Sequence, residues 1–241
     1  MNRLKRFFVD SIDNKQSIIL KGQEFLHAKN VLRLNIKDEI IICCGDGIDY
    51  TCEIIDIKKD CLVCQVISEN KNHQDSIINV DLYQAQVKAD KLELIAQKVS
   101  EIGVSKLIPF TSEFCVVKGE ISKQKNDRLC KISYESAKQC GRSKPLEIGK
   151  NINFNEMMNQ LIKYNLVLFA YEKAKGLKIT QIQGVYDNIA VVVGSEGGFS
   201  EAECDMLCQL PNVKCVTLGN RILRAETASI VCCALTMEKF E

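Results

Sequence analysis

The chain changes rhythm once, near residue 70, and that change limits its architecture more than any other feature. Before it lie five short β-prone runs, RFFV, SIIL, EIIICC, YTCEIIDI and CLVCQVI. Turn signals separate them, among them Gly45-Asp46-Gly47 and Lys58-Lys59-Asp60, which read as hairpin connections. One short helix is predicted around Glu24 to Leu32. So many short strands in so few residues predict a small barrel or sandwich. The segment SENKNHQDS (68–76) is polar throughout and predicts a linker. The expected division is a β domain over 1–70, a linker proper over 71–76, and a second domain over 77–241.

From residue 77 strands alternate with helices, the pattern of βαβ units and a largely parallel sheet. NVDLYQAQV predicts a strand. Asp90 then offers an N-cap with Glu93 three residues later, and Leu92, Ile95, Ala96, Val99 and Ile102 fall at helical spacing. Gly103 ends that helix and KLIPF follows as a strand. A second helix is predicted from Ser122 to Cys140, with a thin apolar stripe and Gly141 as its stop. NLVLFAY (165–171) and NIAVVVG (188–194) read as central buried strands, and VKCVTLG (213–219) as a third. The expected fold class is therefore α/β, with a small β domain in front.

Thirteen cysteines, an odd number, lie mostly in apolar runs, where a thiol behaves as a small hydrophobe. Cys61 and Cys64 form the one CxxC, inside a strand pattern and with no second ligand pair at comparable spacing. His27 and His73 are the only histidines, so no metal site and no histidine triad are expected. Free cysteines suit a reducing cytoplasm. The longest unbroken apolar stretches, Ile189 to Val193 and Ile230 to Leu235, fall far short of the roughly 18 residues that span a bilayer. MNRLKRFFVDSIDNKQ has no apolar core of signal-peptide length. A cytoplasmic protein without a membrane partner is expected.

Two segments carry the chemistry. GSEGGFSEAE follows the 188–194 strand, and its Gly194, Gly197 and Gly198 cluster where an open α/β sheet binds ligands. Ser200 and Glu203 form a capping box, so a helix starts at once. Neither a P-loop nor a dinucleotide fingerprint is present. Spacing alone leaves open a strand-to-helix turn with no ligand. LGNRILRAETAS (218–229) follows the next strand; Arg221 and Arg224 there suit an anion or developing negative charge, or else surface pairing with a glutamate. Two such turns separated by one helix favour a shared ligand site.

Taken together, the two segments resemble the knotted SPOUT methyltransferases, most closely the RsmE type, which methylates uridine N3 in 16S ribosomal RNA. RFFV, HAKNVLRLNIKDEIIICCGDG (27–47), VKADKLELIAQKVSEIGVSKLIPFTSEF (87–114) and ESAKQCGR (135–142) look like further landmarks of that family, in order. The resemblance implies an N-terminal PUA-like β-barrel and a C-terminal SPOUT α/β domain with a deep trefoil knot. It implies S-adenosylmethionine as cofactor, held by Gly194, Ser195, Glu196, Gly197 and Gly198 and by Leu218, Gly219, Arg221, Ile222 and Leu223. Where many members of the family carry Pro, this chain has Ser195. A homodimer, 16S rRNA in the small ribosomal subunit as partner, and a place in ribosome biogenesis are further implications.

Methylation of uridine N3 requires loss of a proton and stabilisation of an imide anion. Arg142 and Arg224 are the candidates for neutralising that charge, and Glu196 is the candidate base, with pairing to backbone N–H groups as its rival role. A net charge of +1, taken as a single number, argues against nucleic acid. Yet residues 118–150 hold nine Lys/Arg against four Asp/Glu, a local +5 in a mildly acidic body. Within it Lys118, Lys138, Gln139, Arg142 and Lys144 are the expected RNA contacts, against the alternative of a solvated helix face. Other readings are a knotted methyltransferase acting on tRNA or a ribose 2'-hydroxyl, or a ribosome-assembly RNA-binding protein without catalysis. Intact Gly194–Gly198 and Leu218–Arg224 disfavour the last.

Overall fold

The computed structural model describes residues 4–14, 16–88, 90–173 and 176–241. Residues 1–3 and Lys15 of the expected β domain, and Ala89 of the VKADKL landmark, lie outside them. The chain forms two compact units, Met1–Asp75 with Ala137–Pro145, and Ser76–Ser136 with Leu146–Glu241.

In the smaller unit the five β-prone runs are five strands: β1 (Lys5–Phe8), β2 (Ser17–Lys21), β3 (Glu39–Cys43), β4 (Ile48–Ile57) and β5 (Cys61–Lys71), ordered β1-β3-β4-β5-β2. Alternation places Tyr50, Cys52 and Ile54 of β4 on one buried face with Phe7, Leu20, Ile40, Ile42 and Leu62. Helix α1 (Gly22–Leu26) and a π turn (His27–Val31) add Phe25 and Ala28 to that core. A helix thus contributes to the core of a single five-stranded sheet where a small barrel or sandwich was expected, and β1 and β2 end the sheet among the described residues.

The polar linker is the clearest departure. Residues 68–71 continue β5 and pair with Ile48–Thr51, because a ladder bonds backbone to backbone whatever the side chains are. Beyond the strand, Asn72 is buried and its amide donates to Asp49 (2.8 Å) and to the Gly141 carbonyl (2.9 Å). Asp49 also takes both guanidinium arms of Arg6, at 2.5 and 2.7 Å. Burial alone would raise the Asp49 carboxyl, but these bonds hold it below the ordinary range.

The larger unit is a parallel sheet. Its strands are β6 (Asn79–Ala85), β7 (Lys106–Thr111), β8 (Glu147–Ile148), β9 (Ile152–Asn153), β10 (Leu166–Ala170), β11 (Asn188–Val193) and β12 (Val213–Val216). The order is β12-β10-β11-β6-β7-β8, with β9 also on β7. Continuous apolar runs are explained by two cores. Leu82, Leu168 and Val191 face one side with Leu92 and Ile95 of α2 (Lys91–Ile102). Cys232, Cys233 and Met237 of α6 (Ala225–Phe240) join them there. Tyr83, Val167, Phe169 and Val192 face the other side with Met157 of α4 (Phe154–Leu161) and Leu207 of α5 (Glu201–Gln209). Helix α3 (Lys123–Cys140) buries Leu129 on the first side.

Local signals succeeded and failed for physical reasons. Ser200 and Glu203 exchange both bonds of the predicted capping box. Asp90 precedes α2 without a side-chain cap bond, and Glu93 reaches the Arg128 guanidinium (2.8 Å) instead. The structure adds α4, whose capping box uses Asn153 and Glu156.

Candidate cofactor site

The carboxyl ends of β12, β10 and β11 lie side by side, and the loops that follow them line one cavity of about 420 Å³. That volume lies within the range of about 300–1,000 Å³ usual for small-molecule sites. β11 delivers Gly194, Ser195, Glu196 and Gly198 to its wall. β12 delivers Leu218, Gly219, Arg221, Ile222 and Leu223, with Arg224 following. β10, between them, brings Tyr171 and Glu172. Gly197, expected with its neighbours, is not among the lining residues.

The first loop is a tight turn. Gly198 N–H donates to the Ser195 carbonyl (3.0 Å), and Gly198 sits at φ +69°, where a side chain would be strained. The Ser195 hydroxyl accepts from Gly197 N–H at 3.3 Å and lies 3.5 Å from the Phe114 carbonyl. Serine thereby ties the turn by hydrogen bonds where proline would do so by its ring. A Cβ on Gly197 would stand 2.9 Å from the Phe114 carbonyl oxygen, so Gly197 lets the loop after β7 close against the turn. Gly194 is held from below: fully buried Gln84, at the end of β6, donates to its carbonyl (3.2 Å) and to Ala85 O (2.9 Å). The Ser229 hydroxyl of α6 donates to the other end of the same amide.

Charge is arranged around Lys91. Its ammonium lies 2.9 Å from Glu196 and 3.4 Å from Glu226, and the Lys88 N–H also reaches Glu196 (3.2 Å). Burial pushes the Glu196 carboxyl up, but Lys91 and the backbone amides outweigh it and hold it below its ordinary value. The hydrogen bond to Glu196 raises Lys91 in turn. In the second loop Thr217 Oγ1 accepts from Gly219 N–H (3.2 Å), and Gly219 has φ +113°. Arg221 and Arg224 are exposed and make no ion pair among the described residues. Arg224 is the N-cap residue of α6, where its donor-only guanidinium cannot cap the helix, and it is among the residues lining the cavity.

The expected RNA contacts divide. Lys118, Gln139 and Lys144 are exposed. Lys138 is bound to the Glu24 carboxylate and lies 5.9 Å from the centre of the Phe7 ring. Arg142 is 4% exposed, with Nε 3.8 Å from Asp75, whose carboxylate also accepts from the Ser143 and Lys144 amides. Arg142 and Lys138 therefore hold the smaller unit together, and Arg142 is not among the residues lining the cavity. Lys91, Glu172 and Gln84 are the residues that sequence reasoning missed. Glu172 directly follows the run NLVLFAY, so asking what lies beyond that strand's end finds it.

Among the described residues no cluster of three His, Cys, Asp or Glu side chains is placed to hold a metal. No helix there is long and apolar enough to cross a membrane.

Residues 74–237 match the model of an RNA methyltransferase domain, and residues 20–67 that of an RNA methyltransferase PUA domain. The chain is 32% identical over 240 residues to ribosomal RNA small subunit methyltransferase E of Bacillus subtilis, covering 94% of this chain and 93% of that relative. It superimposes with a TM-score of 0.88, at 25% identity, on the Neisseria gonorrhoeae ribosomal RNA small subunit methyltransferase E bound to S-adenosyl methionine, over 99% and 98% of the two chains. A Legionella pneumophila putative methyltransferase in complex with the same cofactor gives 0.86 at 25% identity, over 98% of each.

Proposed function

The chain belongs to the RNA methyltransferase family, in the group of the small subunit methyltransferases E, and from that premise we propose that it transfers a methyl group from S-adenosylmethionine to N3 of a uridine in 16S ribosomal RNA. The observation that carries this reading is the convergence of two glycine loops, 194–198 and 218–224, on one cavity at adjacent strand ends. The cofactor suits the residues present. Bare peptide at Gly198 and Gly219 allows close approach, Val193, Leu218, Leu223 and Ala228 give an apolar wall, and Glu172 suits a cationic ligand. When bound, it supplies the methyl group as an electrophile.

The protein's own part is positioning and charge. Arg224, exposed, lining the cavity and without an ion pair among the described residues, faces the negative charge that spreads over the imide when N3 loses its proton. Glu196 is already held by Lys91 and by Lys88 N–H, so it anchors the loop and is a poor acceptor for that proton. Arg142 acts in the smaller unit by packing against Asp75.

The reading includes RNA held by the PUA-like unit and by Lys118, Gln139 and Lys144, whose exposure supports phosphate contact. It includes a homodimer; exposed Phe114, Val116 and Ile222, on or near the cavity loops, supply the apolar surface a second copy would cover. It includes a knotted backbone. After β12, at the edge of the sheet, the chain returns past the ends of β10 and β11 so that α6 packs beside β6 and α2. Thirteen free cysteines support a reducing, cytoplasmic setting. The test is mass mapping of modified uridines in ribosomal RNA from a strain lacking the protein. Loss of one N3-methyluridine from 16S rRNA is expected, and an unaltered modification refutes the reaction.

A further inference from the structure

Cys208 on α5 and Cys215 on β12 bring their sulfur atoms to 2.9 Å. Both are free thiols; Cys208 is exposed and Cys215 partly buried. A disulfide has its sulfurs about 2.05 Å apart, so bond formation requires an approach of about 0.9 Å. Cys204, one helical turn earlier, is buried and hydrogen-bonded to Tyr171, which removes it from competition. We infer that Cys208 and Cys215 form a dithiol modification site that reacts with low-molecular-weight disulfides and closes to an internal disulfide.

The exposed thiol is the one a small reagent reaches first. The Cys208 thiolate attacks one sulfur of the reagent disulfide, forms a mixed disulfide and releases one reagent thiol. Cys215 then gives up its proton and attacks the Cys208 sulfur, releasing the second reagent thiol. Two protein thiols lose two electrons in all, and the reagent disulfide gains them. Burial, followed by the hydrogen bond with Cys208, pushes the Cys215 thiol up to about 12, which keeps it from reacting first; the 2.9 Å separation makes the second step intramolecular and favours it there. The bridge would lie in the segment that joins the two cavity loops. α5 begins three residues after Gly198, and Cys215 is followed at once by Val216 and Thr217, which line the cavity.

The test is titration of the full-length, reduced protein with oxidised and reduced glutathione at fixed ratios, followed by alkylation and peptide mass mapping. The expected result is joint loss of alkylation at Cys208 and Cys215 with a peptide cross-linked between them. Cys208→Ser should leave Cys215 alkylated, and Cys215→Ser should stop at a mixed disulfide on Cys208. The titration of the unaltered protein stands without either variant. A stable mixed disulfide on Cys208 with Cys215 still alkylated, or a bridge involving Cys204, would overturn the assignment.

Discussion

The ammonium of Lys91 stands 2.9 Å from the carboxylate of Glu196, 105 residues further along the chain. The same ammonium lies 3.4 Å from Glu226 in the first turn of α6. One cation at the start of α2 thus fastens both sides of the cavity.

Removing that fastening should weaken the cofactor site without unfolding the sheet. Lys91→Met is expected to raise the Kd for S-adenosylmethionine by a factor of about two to five, the scale of an exposed ion pair. Calorimetric titration measures it, and an unchanged Kd would show that the loops need no such tie.

The same pair sets a pH dependence. Glu196 has a depressed pKa, so its contribution is complete above the ordinary value of 4.5, persists somewhat below it, and disappears as pH falls through the depressed value. The Tm difference between the protein and Glu196→Gln should be constant from neutral pH to about 5 and shrink in stronger acid. Thermal melts across that range read it directly.

Gln84 should matter for both stability and binding. Gln84→Leu removes the donor to Gly194 and the acceptor for Ser229 in a fully buried place. A loss of about 1–3 kcal/mol is expected by urea denaturation, together with weaker cofactor binding. Binding unchanged at reduced stability would confine Gln84 to the core.

Gly197→Ala tests the close approach of Phe114. Overpacking of about 1–3 kcal/mol is expected there. Expressed at the cavity, it corresponds to a Kd increase of about 5- to 150-fold.

Arg224 and Arg142 should separate. Arg224→Ala is expected to lower kcat by about a hundredfold while cofactor affinity holds, as when one charge-stabilising donor is lost. Arg142→Ala should instead lower the Tm, because Asp75 is left buried beside the gap. Single-turnover methylation and melting curves distinguish the two outcomes.

Much of this site was legible because its pieces are local. A β-branched run, a glycine cluster and a capping box stand next to one another in 188–203, and strand-end geometry does the rest. Lys91, Glu172 and Gln84 come from the start of α2, the loop after β10 and the end of β6, and they meet the loops only through the order β12-β10-β11-β6. No local pattern contains that order. The linker was misread for a related reason: polar composition reports on side chains, whereas residues 68–71 are held by backbone pairing with 48–51. The basic stretch misled in the same way, since its charge gives no sign that Asp75 and Glu24 already occupy Arg142 and Lys138.

The bond from Ser229 to Gln84 has a temporal side. β6, β11 and β12 all precede α6 in the chain, yet the carbonyl of Gly194 rests on an amide whose other end waits for that helix. On a translating ribosome every strand of the sheet can emerge while the cavity is still unfinished. The residues that complete the cavity, Ser229 under Gln84 and Ala225 and Ala228 in the wall, therefore join it only once α6 has been made.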